Sequence, residues 1–213
     1  MSYFRQQSQA FAPAYLEELQ EQIWACPYFA VNNLNRDFVG TKGFSVVFRR
    51  SYLSWVGQQF PYFVPYLEQA LQPECNAFYL NPLWLQSGSR VDPHIDRSLR
   101  SYCKTIDPPA VVSVLYIAVS PGMEGGDLIL RSRKRQVGQI HPQPNTLIHF
   151  QGDLTHSINP VTSSGSSRLS LVCEQYNLID TELEEIPEFT LESRAIVKTD
   201  ANGSKRDRKT RRL

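Results

Sequence analysis

Residues 110–119 carry apolar side chains on both faces of a would-be strand, and from residue 76 to residue 178 shorter apolar runs recur between turn residues. A strand that is apolar on both sides has to be covered on both sides, which calls for a layered β structure. Helical spacing is confined to the N-terminal side. In residues 14–24, Leu16, Leu19, Ile23 and Trp24 fall on one helical face, with Pro13 suited to the first turn. Residues 61–71 repeat the pattern less cleanly, because Pro65 forces the helix to begin close to it. Both segments are expected to be helices buttressing one sheet. A chain of 213 residues with 41% hydrophobic content has enough apolar material for one domain with a sizeable core.

Polar residues with metal-binding chemistry interrupt these runs. His94 and Asp96 are two positions apart, so in an extended segment they project to the same side while Ile95 points away. A third ligand is available at His156, just after the apolar run 145–150, which is expected to be a strand ending near it. Two imidazoles and one carboxylate can take one face of an octahedral metal and leave three positions open, the set typical of non-haem Fe(II) oxygenases. A His-x-Asp triplet alone is weak; its order with His156 and Arg168 makes it specific.

Arg168 opens the run 168–174, where alternation puts Arg168, Ser170 and Val172 on one face and Leu169, Leu171 and Cys173 on the other. A guanidinium fork with a hydroxyl beside it suits bidentate recognition of a carboxylate. In the run 110–119, Val112, Val114 and Tyr116 share a face. Tyr116 is either core, with its hydroxyl on a backbone acceptor, or a phenol reaching the same carboxylate as Arg168. Gly125 and Gly126 are expected to make a tight turn with Asp127 starting the next strand. His149 reads as a satisfied core histidine, His141 as a turn residue and Asp92 as an edge acceptor. Arg97 and Arg100 are either mouth residues or ordinary exposed arginines.

Taken together, His94-Ile-Asp96, Val114-Leu-Tyr116, Gly125-Gly-Asp127, His156-Ser-Ile and Arg168-Leu-Ser170 resemble the Fe(II)- and 2-oxoglutarate-dependent oxygenases, in their prolyl 4-hydroxylase-like branch. The resemblance covers roughly residues 76–178. It implies a mainly β (α+β) fold, a double-stranded β-helix or jelly-roll behind N-terminal buttressing helices. It also implies Fe(II) on His94, Asp96 and His156, which serve as the catalytic residues through the iron. The co-substrate 2-oxoglutarate would sit on Arg168, with Tyr116 and Ser170 as hydrogen-bond partners, O₂ as the second co-substrate and ascorbate as a reductant. The implied reaction is hydroxylation of an unactivated C–H bond, prolyl or otherwise peptidyl, with release of succinate and CO₂; a free amino acid or small metabolite is the alternative substrate. An aspartate rather than Gly or Ala at position 96 fits hydroxylation over halogenation. Some relatives place a co-substrate tyrosine ten residues before the first ligand, where this chain has Trp84. Two readings of other classes stand beside this one: a cupin-like metal enzyme working without 2-oxoglutarate, and a non-catalytic module that binds through its basic end.

The near-neutral net charge of +1 conceals an asymmetry. Residues 205–213 hold six basic side chains and one acidic, leaving 16 basic against 20 acidic elsewhere. The expected organisation is one domain over residues 1–199 and a flexible basic tail over 200–213, able to touch nucleic acid by counterion release. The four cysteines have no paired spacing, the first residues are polar, and no apolar run approaches twenty residues. A soluble protein of the reducing cytoplasm, with no membrane partner, is expected.

Overall fold

A computed structural model describes residues 2–31, 34 and 36–195. The strands form two facing antiparallel sheets. Seven principal strands of the larger sheet are β1 (Phe4–Ser8), β2 (Ala30–Val31), β4 (Lys42–Gly43), β6 (Ala77–Gln86), β8 (Val111–Val119), β11 (Thr146–Gln151) and β13 (Ser167–Tyr176), in the order β1-β11-β8-β13-β6-β4-β2. Two more, β5 (Ser45–Arg49) and β14 (Phe189–Glu192), join through pairing of β5 with β6 and with β14. The smaller sheet runs β10 (Arg135–Ile140), β9 (Leu128–Ser132), β12 (Thr155–Ile158), β7 (Arg90–His94) and β3 (Phe38–Val39). This is the expected jelly-roll.

Alternation along β13 and β8 decides what each face of the large sheet meets. Leu169, Leu171 and Cys173 of β13, with Leu115 and Ile117 of β8, point away from the small sheet into a core cluster beneath the helices. That cluster receives Leu16, Leu19 and Ile23 of α1 (Pro13–Ala25), Val56 of α2 (Leu53–Gln59), and Tyr66, Leu67 and Ala70 of α3 (Val64–Ala70). A buried Leu or Ile contributes about 1.5–3 kcal/mol by leaving water, so these helices are held by one apolar stripe each. Both buttresses expected from the sequence are present. A single 3-10 turn over Pro61–Phe63 precedes α3, so the helix starts just before Pro65, where the missing N–H costs nothing.

Several local expectations change. Trp24 is 43% exposed at the end of the α1 stripe, its ring edge-on to Phe29 and Trp84. The polar start of the chain contains β1, which pairs with β11 at the sheet edge; its exposed Arg5, Gln6 and Gln7 give no alternation to read. A fourth short helix, α4 (Asp180–Glu185), follows the jelly-roll. Residues 200–213, expected to be a flexible basic tail, lie outside the described residues.

Candidate metal centre and co-substrate cavity

β7 and β12 lie side by side in the small sheet, and their register sets His94 opposite His156, with ring centroids 4.4 Å apart. The chain leaves β7 after His94 and curls so that Asp96, beyond the strand, returns to the same spot. One ligand atom from each of His94, Asp96 and His156 lies within 4.8 Å of the others. His94 Nε2 is 3.2 Å from one Asp96 oxygen and His156 Nε2 is 3.4 Å from the other. The opposite ring nitrogens face backbone carbonyls: His94 Nδ1 donates to Asp92 O at 2.8 Å and His156 Nδ1 to Leu154 O at 3.2 Å. Those bonds assign the Nδ1–H tautomer and leave both Nε2 lone pairs turned inward, the usual support of a metal-ligating histidine. Phe38 packs edge-on to His94, and Phe150 against His156, each with centroids 5.1 Å apart.

Burial and charge oppose each other here. Asp96 is 7% exposed, which alone would favour its neutral form, but the two imidazoles outweigh burial and hold its carboxyl far below the usual range. Burial likewise disfavours the His94 imidazolium, yet the Asp96 carboxylate and the Asp92 carbonyl overcome it, so His94 titrates above its ordinary value. Two inward nitrogen lone pairs around a fixed carboxylate form a donor set for a borderline divalent cation.

Across from this centre, the inner face of β13 presents Arg168, Ser170, Val172 and Glu174. Ser170 is paired with Tyr116 on β8, and Tyr116 with Thr146 on β11, so three hydroxyl residues stand in one row across the sheet. Arg168, 2% exposed, gives Nη1 to Gly126 O at 2.8 Å and stacks its guanidinium 5.0 Å from the centre of the Tyr116 ring. No carboxylate pairs with it among the described residues. Its Nε, the Tyr116 hydroxyl, the Ser170 hydroxyl and the Thr146 hydroxyl are all buried without a hydrogen-bond partner among the described residues. Buried polar groups are rarely left so, and an uncompensated guanidinium with three such hydroxyls in the row beside it suits the seat of an anion. The cavity between the sheets encloses about 600 Å³, part of it open to solvent, and is otherwise lined by apolar residues such as Leu83, Val114 and Ile158.

The sequence-selected residues thus converge: His94, Asp96 and His156 in one cluster, Arg168, Tyr116 and Ser170 in the facing one. The Tyr116 hydroxyl meets no backbone acceptor among the described residues, and its ring lies against the Arg168 guanidinium. His156, however, does not end the strand of residues 145–150. A turn after β11 carries the chain to the other sheet, where His156 sits on its own strand. Trp84 is on the wrong face: it pairs with Leu169 and packs outward against Trp24 and under Lys42 Nζ, so it does not occupy a co-substrate position. The inward residues of β6 are Tyr79, Asn81 and Leu83. Gly125 and Gly126 turn with positive φ as expected, and the Gly126 carbonyl becomes the Arg168 acceptor. Asp127 accepts from Gln139 and His141, and His149 donates to Ala70 O, as bland readings required.

Three buried residues of the inner face escaped sequence reading. Thr146 is one. Asn81 has a buried carbonyl oxygen without a partner, while its amide donates to Phe44 O. Glu174 continues the alternation of Arg168, Ser170 and Val172 by one step. It is buried, accepts from the Ser98 N–H and hydroxyl and from Tyr176, and so ties the segment after Asp96 to β13. Burial, aided by the nearby Asp96 charge, pushes its carboxyl up to about 8 against the pull of those donors.

Comparison with known proteins agrees with this geometry. Residues 78–173 match the family described as the 2OG-Fe(II) oxygenase superfamily. The chain carries a 2OG-Fe(II) oxygenase domain. It is a 2-oxoglutarate-dependent dioxygenase, and the cofactors of that superfamily are Fe(II), 2-oxoglutarate and O₂. No curated protein sequence matches the chain. Among solved structures, the oxygenase resembles a prolyl-4-hydroxylase from Pseudomonas putida at 18% identity and TM-score 0.55, covering 84% of this chain and 95% of that one. It also resembles a Trichoplax adhaerens prolyl hydroxylase in complex with a hypoxia inducible factor oxygen degradation domain peptide fragment, at 14% identity and TM-score 0.55, covering 85% and 86%. A 2OG-Fe(II) oxygenase-family oxidoreductase from Burkholderia pseudomallei follows at 13% identity, TM-score 0.53 and coverage of 83% and 86%. At these identities the likeness speaks for the shared fold.

Proposed function

We propose that this oxygenase is a hydroxylase of an unactivated C–H bond in a peptidyl substrate, prolyl among the candidates, with Fe(II) on His94, Asp96 and His156 and 2-oxoglutarate on Arg168. The observation that carries the reading is the facing pair of clusters: two imidazole nitrogens around one carboxylate, opposite a buried guanidinium with no anion of its own. When bound, the iron and the co-substrate supply the oxidising power, giving succinate, CO₂ and a hydroxylated product. The peptide bound to the Trichoplax relative supports a peptidyl substrate.

The protein groups orient and exclude. Backbone carbonyls of Asp92 and Leu154 hold the Nδ1 protons of His94 and His156, so Nε2 is the free donor on each ring. Arg168 offers a fork to the distal carboxylate, and Tyr116 and Ser170 donate hydroxyl hydrogens beside it. Leu83, Val114, Phe150 and Ile158 line the space between and keep water from it. Glu174 holds Ser98 and thereby the segment that bears Asp96. Free thiols at Cys26, Cys75, Cys103 and Cys173 support a reducing, cytoplasmic setting, and residues 1–199 are taken as the single oxygenase domain ahead of the basic run.

Anaerobic addition of Fe(II) and 2-oxoglutarate tests the assignment, since chelation by both gives a weak visible charge-transfer band. The band is expected in the wild type and lost in His94→Ala, Asp96→Ala and His156→Ala. A folded, iron-loaded wild type without the band would refute it.

A further inference from the structure

Outside the metal cluster the inner cavity opens into a second, shallower chamber of about 910 Å³, open to solvent. The two spaces meet at Phe38, Tyr79, His94 and Asp96, so whatever occupies the outer chamber lies against the exposed side of the metal cluster. One wall is the segment that follows Asp96. It carries Arg97, Arg100 and Lys104, all lining the chamber, and among the described residues the one acid lining it besides Asp96 is Glu192, which already accepts a hydrogen bond from Tyr102.

The segment is built to hold position. Ser98 is pinned through N–H and hydroxyl to Glu174, Leu99 and Cys103 are buried, and Arg100 donates Nε to Ile106 O at 2.7 Å. The side chains of Arg97 and Lys104, by contrast, have no hydrogen-bond or ion-pair partner among the described residues. Fixed cations around a concave, partly desolvated space favour anionic ligands and repel cationic ones.

We propose that the outer chamber selects substrates bearing an acidic group, a carboxylate or equivalent held by Arg97 and Lys104, so that the carbon to be oxidised is presented over the metal cluster. The inference rests on the functional reading above and narrows its substrate class. The acid is either a side chain flanking the target residue in a peptide or part of a free acidic molecule; both share the chemistry of the contact.

The test compares full-length protein, loaded anaerobically with Co(II) and 2-oxoglutarate, with its Arg97→Glu/Lys104→Glu variant. Binding is measured for the fluorescein-labelled peptide Glu-Glu-Pro-Glu-Glu against Gln-Gln-Pro-Gln-Gln, and, by calorimetry, for N-acetylglutamate against N-acetylglutamine. The wild type is expected to prefer the acidic member of at least one pair by roughly tenfold, as two partly exposed charge contacts would give. Which pair shows it identifies the source of the acid. The double variant should lose the preference while its 2-oxoglutarate affinity is unchanged, which also shows that it is folded. The basic run at 205–213 is common to both proteins, so a preference that survives in the variant belongs to that run and overturns the proposal. Equal binding within both pairs overturns it as well. Failure of the wild type to bind 2-oxoglutarate would instead strike the functional reading.

Discussion

Replacing Arg168 by methionine should separate what this residue does for the fold from what it does for the co-substrate. The guanidinium is 2% exposed and donates to the Gly126 carbonyl, with the Tyr116 ring stacked on it. Burying an ion costs several kcal/mol after relaxation. One hydrogen bond to a charged group returns about 1.5–3 kcal/mol, and the ring about 0.5–2 kcal/mol. The two nearly balance, so in the absence of 2-oxoglutarate Arg168→Met, close in length and free of charge, should melt no lower than the wild type and up to about 2 kcal/mol higher. For a chain of this size each kcal/mol moves the melting temperature by roughly 2–4 °C. With 2-oxoglutarate the order should reverse. A buried carboxylate robbed of its partner is destabilised by about 3–5 kcal/mol, a loss of affinity of at least about a hundredfold. Differential scanning fluorimetry across a 2-oxoglutarate titration, with Zn(II) bound to prevent turnover, reads both effects from one experiment. The reasoning is refuted if Arg168→Met is strongly destabilised without co-substrate, or if its melting temperature rises with 2-oxoglutarate as the wild type's does.

Thr146→Val removes a buried hydroxyl that has no partner while keeping the shape, so 2-oxoglutarate affinity should fall about fivefold with no loss of stability, and Thr146→Ser should restore it; an unchanged affinity by calorimetry would exclude Thr146 from the anion seat. Gly125→Ala should destabilise by about 1–3 kcal/mol, because φ is +76° and a Cβ there would lie 2.0 Å from Pro160 O, and through the displaced Gly126 carbonyl it should weaken co-substrate binding too; chemical denaturation at wild-type midpoint would refute it. In chelator-treated protein, His94 titrates above its ordinary 6.5 and Asp96 below its ordinary 3.8. The His94 contribution is therefore complete below about pH 6.5 and lost as pH rises through its folded value, whereas that of Asp96 is complete above its ordinary value and lost only as pH falls through the depressed one. Metal needs neutral imidazole and works in the opposite direction. The melting-temperature gap between Zn(II)-loaded and chelated protein should widen from pH 5.5 to pH 8, and a constant gap would contradict the ligand set.

The parts of the site that could be read in advance are those whose chemistry is carried by one strand. Arg168, Ser170 and Val172 follow from alternation alone, and the same rule extended by two residues reaches Glu174. Trp84 shows where counting positions fails. Its distance from His94 spans a turn at Ser87–Ser89, across which the parity of the strand is not conserved, and the outward face it lands on is set by pairing with Leu169. Asp96 converged with His94 by a different route from the one expected: the strand stops at His94, and Asp96 comes from the irregular segment after it, which Glu174 anchors through Ser98. Thr146 could not have been distinguished from any strand-opening threonine, because its significance lies wholly in the register that sets it opposite Tyr116 and so in one row with Ser170. Spacing within a strand is therefore legible, whereas contacts made across strands depend on register, which the turns and bulges fix only in the folded chain. That division also explains why the anion seat is more polar than the sequence suggested: β11, separated from β13 by β8, adds the Thr146 hydroxyl to the row.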